Sequence, residues 1–174
     1  IGDDIPSSDL QMESATGDTT SLSELMGEKG LVVIFSCNTC PFVVGNDNFD
    51  GWEKQYNDIY DAAKKASIGV VLVNSNSAKR EGVDSKEKMN NHSTEQSYKM
   101  PYLIDSESNI ANAFGAKTTP HVYVFDGDNK LIYKGSIDNS WDSKRKNEAP
   151  YLLNVIKDVV IFVSLKYYCC EFTK

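Results

Sequence analysis

Phe35-Ser-Cys-Asn-Thr-Cys-Pro-Phe42 is the stretch on which the reading of this chain turns, with Cys37 and Cys40 three residues apart. The run Leu31-Val-Val-Ile-Phe35 leads into it. Five consecutive apolar residues, three of them β-branched, predict a strand covered on both faces. After Pro41, apolar or aromatic residues recur at Phe42, Phe49, Trp52, Tyr56, Ile59 and Ala63. That spacing predicts one long helix from about Cys40 to Ala66, with Pro41 in its first turn, where a missing N–H costs nothing. Trp52, Tyr56 and Tyr60 are then core residues of that helix. Cys37 is expected to be exposed at the strand mouth, facing the helix N-terminus, and Cys40 to lie within the first turn. A helix dipole with free N–H groups lowers a cysteine pKa from about 8.5 into a range of roughly 3.5 to 7.5. The spacing also lets Cys40 reach back and close a short disulfide.

Zinc is the main chemical rival for such a pair, and a structural pair of thiols the bland one. Zinc usually needs a second ligand pair at similar spacing. His92, His121 and the adjacent Cys169-Cys170 form no such array. Redox use is therefore the preferred reading, with no metal and no organic cofactor, since the cysteine pair itself carries the electrons.

The 174 residues suffice for one domain with a sizeable core, placed at 1–165 and followed by a tail at 166–174. Eighteen basic against 25 acidic residues give a net charge of −7, and Arg80 and Arg145 are the only arginines. That balance excludes a nucleic-acid groove. No apolar run is long enough to span a membrane. The start at Ile1, without methionine, fits a mature form whose export signal was removed and fits a trimmed chain equally. An extracytoplasmic location is the expectation, with a cytoplasmic one left open.

Along the chain, Leu10–Ser14 reads as an edge strand, Gly17-Asp18 as a turn and Ser21–Met26 as a helical turn. Gly69-Val-Val-Leu-Val73 is a second buried strand, which makes strand–helix–strand a parallel unit. Asp84 and Glu87 have capping-box spacing and predict a polar helix to about Tyr98, with His92 on its surface. Tyr102–Ile104 is a short strand, and Asn109–Phe114 a small helix ended by Gly115. Thr118–Phe125 is a strand that turns through Asp126–Asn129 into Leu131–Lys134 as a hairpin. Pro150 opens a last helix with Leu152, Val155, Ile156 and Val159 on one face. The apolar run Val159–Val163 with Leu165 needs cover. Cys169 and Cys170 are read as part of a packing extension, in preference to a third redox thiol.

The order strand, Cys-x-x-Cys, helix, strand and later Thr-Pro resembles the thioredoxin-like superfamily, in its redoxin or thiol-peroxidase-related branch. Three stretches carry the resemblance: Phe35–Val43, Val73-Asn-Ser-Asn76, and Met100–Asp105 running on through Phe114–Pro120. It spans roughly residues 5–160. It implies an α/β fold, a central mixed β-sheet flanked by helices, with an N-terminal extension and an inserted helix. It also implies a cis Thr119–Pro120 bond beside the cysteines, with Thr119 and Pro120 binding substrate backbone. A proline at a strand start suits this, because it cannot donate to the ladder. His121, next along, is read as facing solvent. The sequence departs from thioredoxin at Leu31, where that family carries a buried acid. It departs from related anchored reductases at Val43, where they carry a glutamate. Asp47, the nearest acid on the helix, is expected to face solvent.

The function this implies is thiol–disulfide exchange with protein substrates and a redox partner protein. Cys37 would attack and Cys40 resolve. A peroxidase of the same superfamily is the first alternative. It would need a threonine or serine three residues before the reactive cysteine, where Ile34 and Cys37 stand instead. A non-catalytic binding module is the second.

Overall fold

The computed structural model describes residues 1–144 and 146–159. The expected boundary at 165, the apolar run beyond Val159 and the tail cysteines lie outside the described residues.

β3 (Gly30–Ser36) is buried along its whole length. It runs parallel to β4 (Ile68–Asn74), which runs parallel to β5 (Tyr102–Ile104). On its other side β6 (His121–Asp126) pairs antiparallel, setting Phe35 opposite His121, and β7 (Leu131–Gly135) returns as the hairpin partner of β6. The mixed sheet therefore has the order β5-β4-β3-β6-β7. The expected edge strand at the N-terminus is shorter, a two-residue ladder of β1 (Met12–Glu13) on β2 (Thr19–Thr20).

Alternation along β3 feeds two cores. Val32 and Ile34 pack with Tyr56, Ile59 and Ala63 of α2 (Tyr56–Lys65) and with Leu152, Ile156 and Val159 of a last helix, α5 (151–159). Leu31, Val33 and Phe35 pack on the opposite face with Ile110, Ala111 and Phe114 of α4 (Asn109–Phe114). A strand buried on both faces needs the near-continuous apolar run that Leu31–Phe35 supplies.

Two expectations about helices are corrected. The helix after the cysteines is broken: α1 (Pro41–Val44) has four residues, and a 3-10 turn, Trp52–Gln55, leads into α2. Gly45 and Gly51 mark the break, with φ of 93° and 81°. A Cβ at Gly51 would stand 2.4 Å from the Val43 carbonyl oxygen. Phe42 is consequently not on a buried face; it is 50% exposed and stacks on Trp52, ring centroids 6.1 Å apart. Trp52 and Tyr56 are core, as read, and Tyr60 packs at its margin.

The inserted helix, α3 (Lys86–Glu95), is capped by Ser85, whose side chain accepts the Lys88 N–H; Asp84 points inward and takes no part in the cap. Nor is His92 a surface residue. Its Nε2 lies 2.6 Å from Oε2 of Glu53, and Tyr98 donates to the same oxygen at 2.9 Å. Glu53 is buried, and a buried carboxylate requires such partners.

Candidate active site

β3 ends at Ser36, and the chain turns through Cys37, Asn38 and Thr39 to Cys40, the N-cap of α1. Ser36 is pinned from below by the hydroxyl of fully buried Tyr56, 3.0 Å away. Both cysteines are free thiols. The Thr119–Pro120 peptide bond is cis and lies against them. Thr119 meets both sulfurs: its Oγ1 is 3.4 Å from Cys37 Sγ, and its carbonyl accepts from Cys40 Sγ at 3.2 Å.

The two sulfurs thus have opposite surroundings. Cys37 is approached by donors, the Thr119 hydroxyl and the N–H groups of Thr39 and Cys40, all of which favour a thiolate. Cys40 instead donates to a carbonyl. The expectation that Cys37 is exposed with a lowered pKa is corrected, because it is only 5% exposed and burial pushes its thiol up. Desolvation outweighs the donors, and the four-residue α1 is too short to contribute a sizeable dipole.

Leu31 and Val43 are both fully buried and apolar. The acid nearest the loop comes from elsewhere. Asp84, 0% exposed, accepts the Asn38 N–H at 2.9 Å, Nδ2 of Asn74 at 2.8 Å and Nδ2 of Asn76 at 2.7 Å. Arg80 closes the cluster, donating 2.7 Å bonds to the backbone carbonyls of Asp84 and Asn74. The Asn38 side chain joins it, donating to the Val83 carbonyl and accepting from the Tyr102 hydroxyl. Asp84 was missed because a polar residue just ahead of a helix has the local signature of a cap. The Asn74-x-Asn76 pair was the available hint, since amides at the end of a buried strand need acceptors.

His121 is half-buried, its Nδ1 facing the Lys117 N–H and the Tyr123 hydroxyl at 3.4 Å each; burial and then Lys134 hold its pKa down. Asp47 is exposed, as read. Among the described residues no three His, Cys, Asp or Glu side chains are placed to hold a metal ion. Nor is any described helix long and apolar enough to cross a membrane.

Residues 1–153 match the redoxin family. The chain belongs to the redoxin family. Solved structures agree on the fold of this redoxin. An uncharacterized conserved protein from Geobacillus kaustophilus is 28% identical, with a TM-score of 0.74 over 90% of this chain and 78% of that one. A hypothetical protein from Sinorhizobium meliloti is 26% identical, with a TM-score of 0.77 over 93% and 85%. The thioredoxin domain of a thiol-disulfide oxidoreductase from Bacteroides vulgatus shares the fold at 15% identity, with a TM-score of 0.64 over 91% and 96%. A search of curated proteins gives no match. The α/β thioredoxin-like reading of the sequence stands.

Proposed function

We propose that this redoxin is a thiol–disulfide oxidoreductase that exchanges disulfides with protein substrates through Cys37 and Cys40. The observation that carries the reading is the opposed polarity at Thr119: donors converge on Cys37, and a carbonyl accepts from Cys40. Cys37 is therefore the attacking thiol and Cys40 the resolving one. The Cys37 thiolate attacks one substrate sulfur, the substrate S–S bond breaks, and the departing thiolate takes a proton from solvent. Cys40 then gives up its proton and attacks Cys37, releasing the second substrate thiol. The substrate gains two electrons and the cysteine pair loses two. A redox partner protein returns them, and the reverse sequence oxidises a dithiol. Thr119, which lines the groove beside the thiols, and buried Pro120 behind it hold the substrate backbone.

A peroxidase reading would need an arginine beside the reactive thiol to polarise peroxide. Arg80 instead spends its guanidinium on the carbonyls of Asn74 and Asp84. The deciding experiment pairs reduction of a disulfide-linked peptide with peroxide consumption, both driven by a small dithiol. Peptide turnover that vanishes in Cys37→Ser, with peroxide consumption no faster than in that variant, supports the reading. Peroxide turnover without peptide turnover overturns it.

A further inference from the structure

Beside the thiols runs a groove of about 560 Å³ between the turn that follows β4 and the segment joining α4 to β6. Its lining is mixed, with Ser75, Asn76, Ser108 and Thr118 among the polar contributors, and among the described residues its only charged ones are Lys79 and Lys117. Among the described residues no carboxylate lines it, although acids outnumber bases 25 to 18 in the chain. Two buried acids of the adjoining segments are tied down, whereas Glu107, next to Ser108, is exposed. Asp84 is held by the amides described above, and Asp105, 1% exposed, accepts from Ser75 Oγ and from the N–H groups of Ile110 and Ala111.

Lysine pairing varies across this surface. Lys54, Lys86, Lys99 and Lys130 each hold an aspartate or glutamate. Lys79 and Lys117 are exposed, and among the described residues neither ammonium has a carboxylate partner. Two unpaired cations lining the same groove as the reactive sulfurs favour negative charge on whatever enters it.

We propose that the groove selects disulfides flanked by carboxylates, with Lys79 and Lys117 pairing to acidic groups on either side of the sulfur that Cys37 attacks. This rests on the exchange chemistry proposed above and names its substrate class. The same chemistry is offered by an acidic segment of a disulfide-linked protein and by a small dicarboxylate disulfide. The lysines leave the electron balance unchanged: the substrate S–S bond is reduced to two thiols and the Cys37–Cys40 pair is oxidised. They raise the encounter frequency and hold the bound geometry.

The test measures the exchange rate of the reduced protein with two matched sets of disulfides. One set comprises peptides flanked by Asp, Ser or Lys. The other comprises the small disulfides 3,3′-dithiodipropionate, bis(2-hydroxyethyl) disulfide and cystamine. Exposed charge pairs are worth about 0.2–1 kcal/mol, so each lysine should contribute roughly a 1.5- to 5-fold preference. The acidic member should therefore exceed the neutral one by about tenfold when both lysines act. Preference confined to peptides identifies a protein segment as the source, and preference in both sets identifies the charge alone; either supports the proposal. Lys79→Gln with Lys117→Gln should erase most of the acidic-to-neutral ratio, and added salt should reduce it. Lys157→Gln, on α5 away from the groove, serves as the control. Equal rates across acidic, neutral and basic members, or a ratio that survives the double substitution, overturn this inference while leaving disulfide exchange intact. Failure of every disulfide to exchange, the neutral ones included, overturns the redox reading and this inference together.

Discussion

Replacing Asp84 tests the organisation of the site most directly. Its carboxylate accepts three hydrogen bonds from groups on two segments: the Asn38 N–H of the cysteine loop, and the amides of Asn74 at the end of β4 and Asn76 just beyond it. Asp84→Ala leaves these donors without their acceptor, and the Asn74 amide is in a place water does not reach, since Asp84 and Asn74 are both 0% exposed. Each stranded buried donor costs about 1–3 kcal/mol, and the sum is reduced by relaxation and by water entering the vacated volume. Removing one partner of a buried charged cluster costs about 3–5 kcal/mol, and Arg80 would lose its nearby counter-charge here. Asp84→Ala is therefore expected to cost about 3–5 kcal/mol. Asp84→Asn keeps the shape and one acceptor oxygen, and should cost about 1–2 kcal/mol.

Urea unfolding measures this, read as a fall in midpoint at unchanged slope. Disulfide exchange at a urea-free condition measures the effect on the site. Release of the Asn38 N–H frees the loop that carries Cys37, so exchange by folded Asp84→Ala should slow several-fold while binding of substrate changes less. A loss of under about 1 kcal/mol in Asp84→Ala would refute the view that this carboxylate holds the loop.

Four further outcomes follow from the geometry. Cys40→Ser should accumulate mixed disulfides with a disulfide substrate, detected by non-reducing electrophoresis, and Cys37→Ser should accumulate none; equal trapping by both would reverse the assigned roles. Because burial raises the Cys37 pKa, its alkylation rate should keep rising with pH beyond the ordinary cysteine value of about 8.5, as the thiolate appears late; a plateau already reached at neutral pH would contradict this. Thr119→Ala removes the hydroxyl whose hydrogen bond favours the Cys37 thiolate, and should move the alkylation midpoint further upward; an unchanged or lower midpoint would contradict this. Gly51→Ala forces a side chain into a φ of 81° and against the Val43 carbonyl, and should destabilise by about 2 kcal/mol or more in thermal or urea unfolding.

How much of this could be read beforehand depends on whether the deciding interaction is local. β3 and β4 declare themselves as runs of apolar, β-branched residues, and the β6–β7 hairpin by Asp126–Asn129 between two apolar segments. The cysteine pair and the Thr119–Pro120 step were likewise legible as short patterns, and the resemblance to redoxins rested on their order. The break between α1 and α2 was in principle legible too. Gly45 and Gly51 flank Asn46-Asp47-Asn48, but a helical spacing of aromatics masked them, and Phe42 was assigned to the wrong side.

Other features belong to the tertiary structure alone. Nothing near Asp84 in sequence distinguishes a cap from a buried acceptor; the amides of Asn74 and Asn76 and the Asn38 N–H arrive from other segments and turn it inward. Cys37 was expected to ionise easily because a helix follows it, yet its pKa is governed by how completely the neighbouring elements exclude water. Lys79 and Lys117 look like any other lysines until the fold leaves them without acids beside the thiols. Strand period and turn chemistry are properties of adjacent residues, and the sequence alone determined them here. Burial and charge pairing are properties of whatever the fold brings alongside, so only the packed chain could decide them.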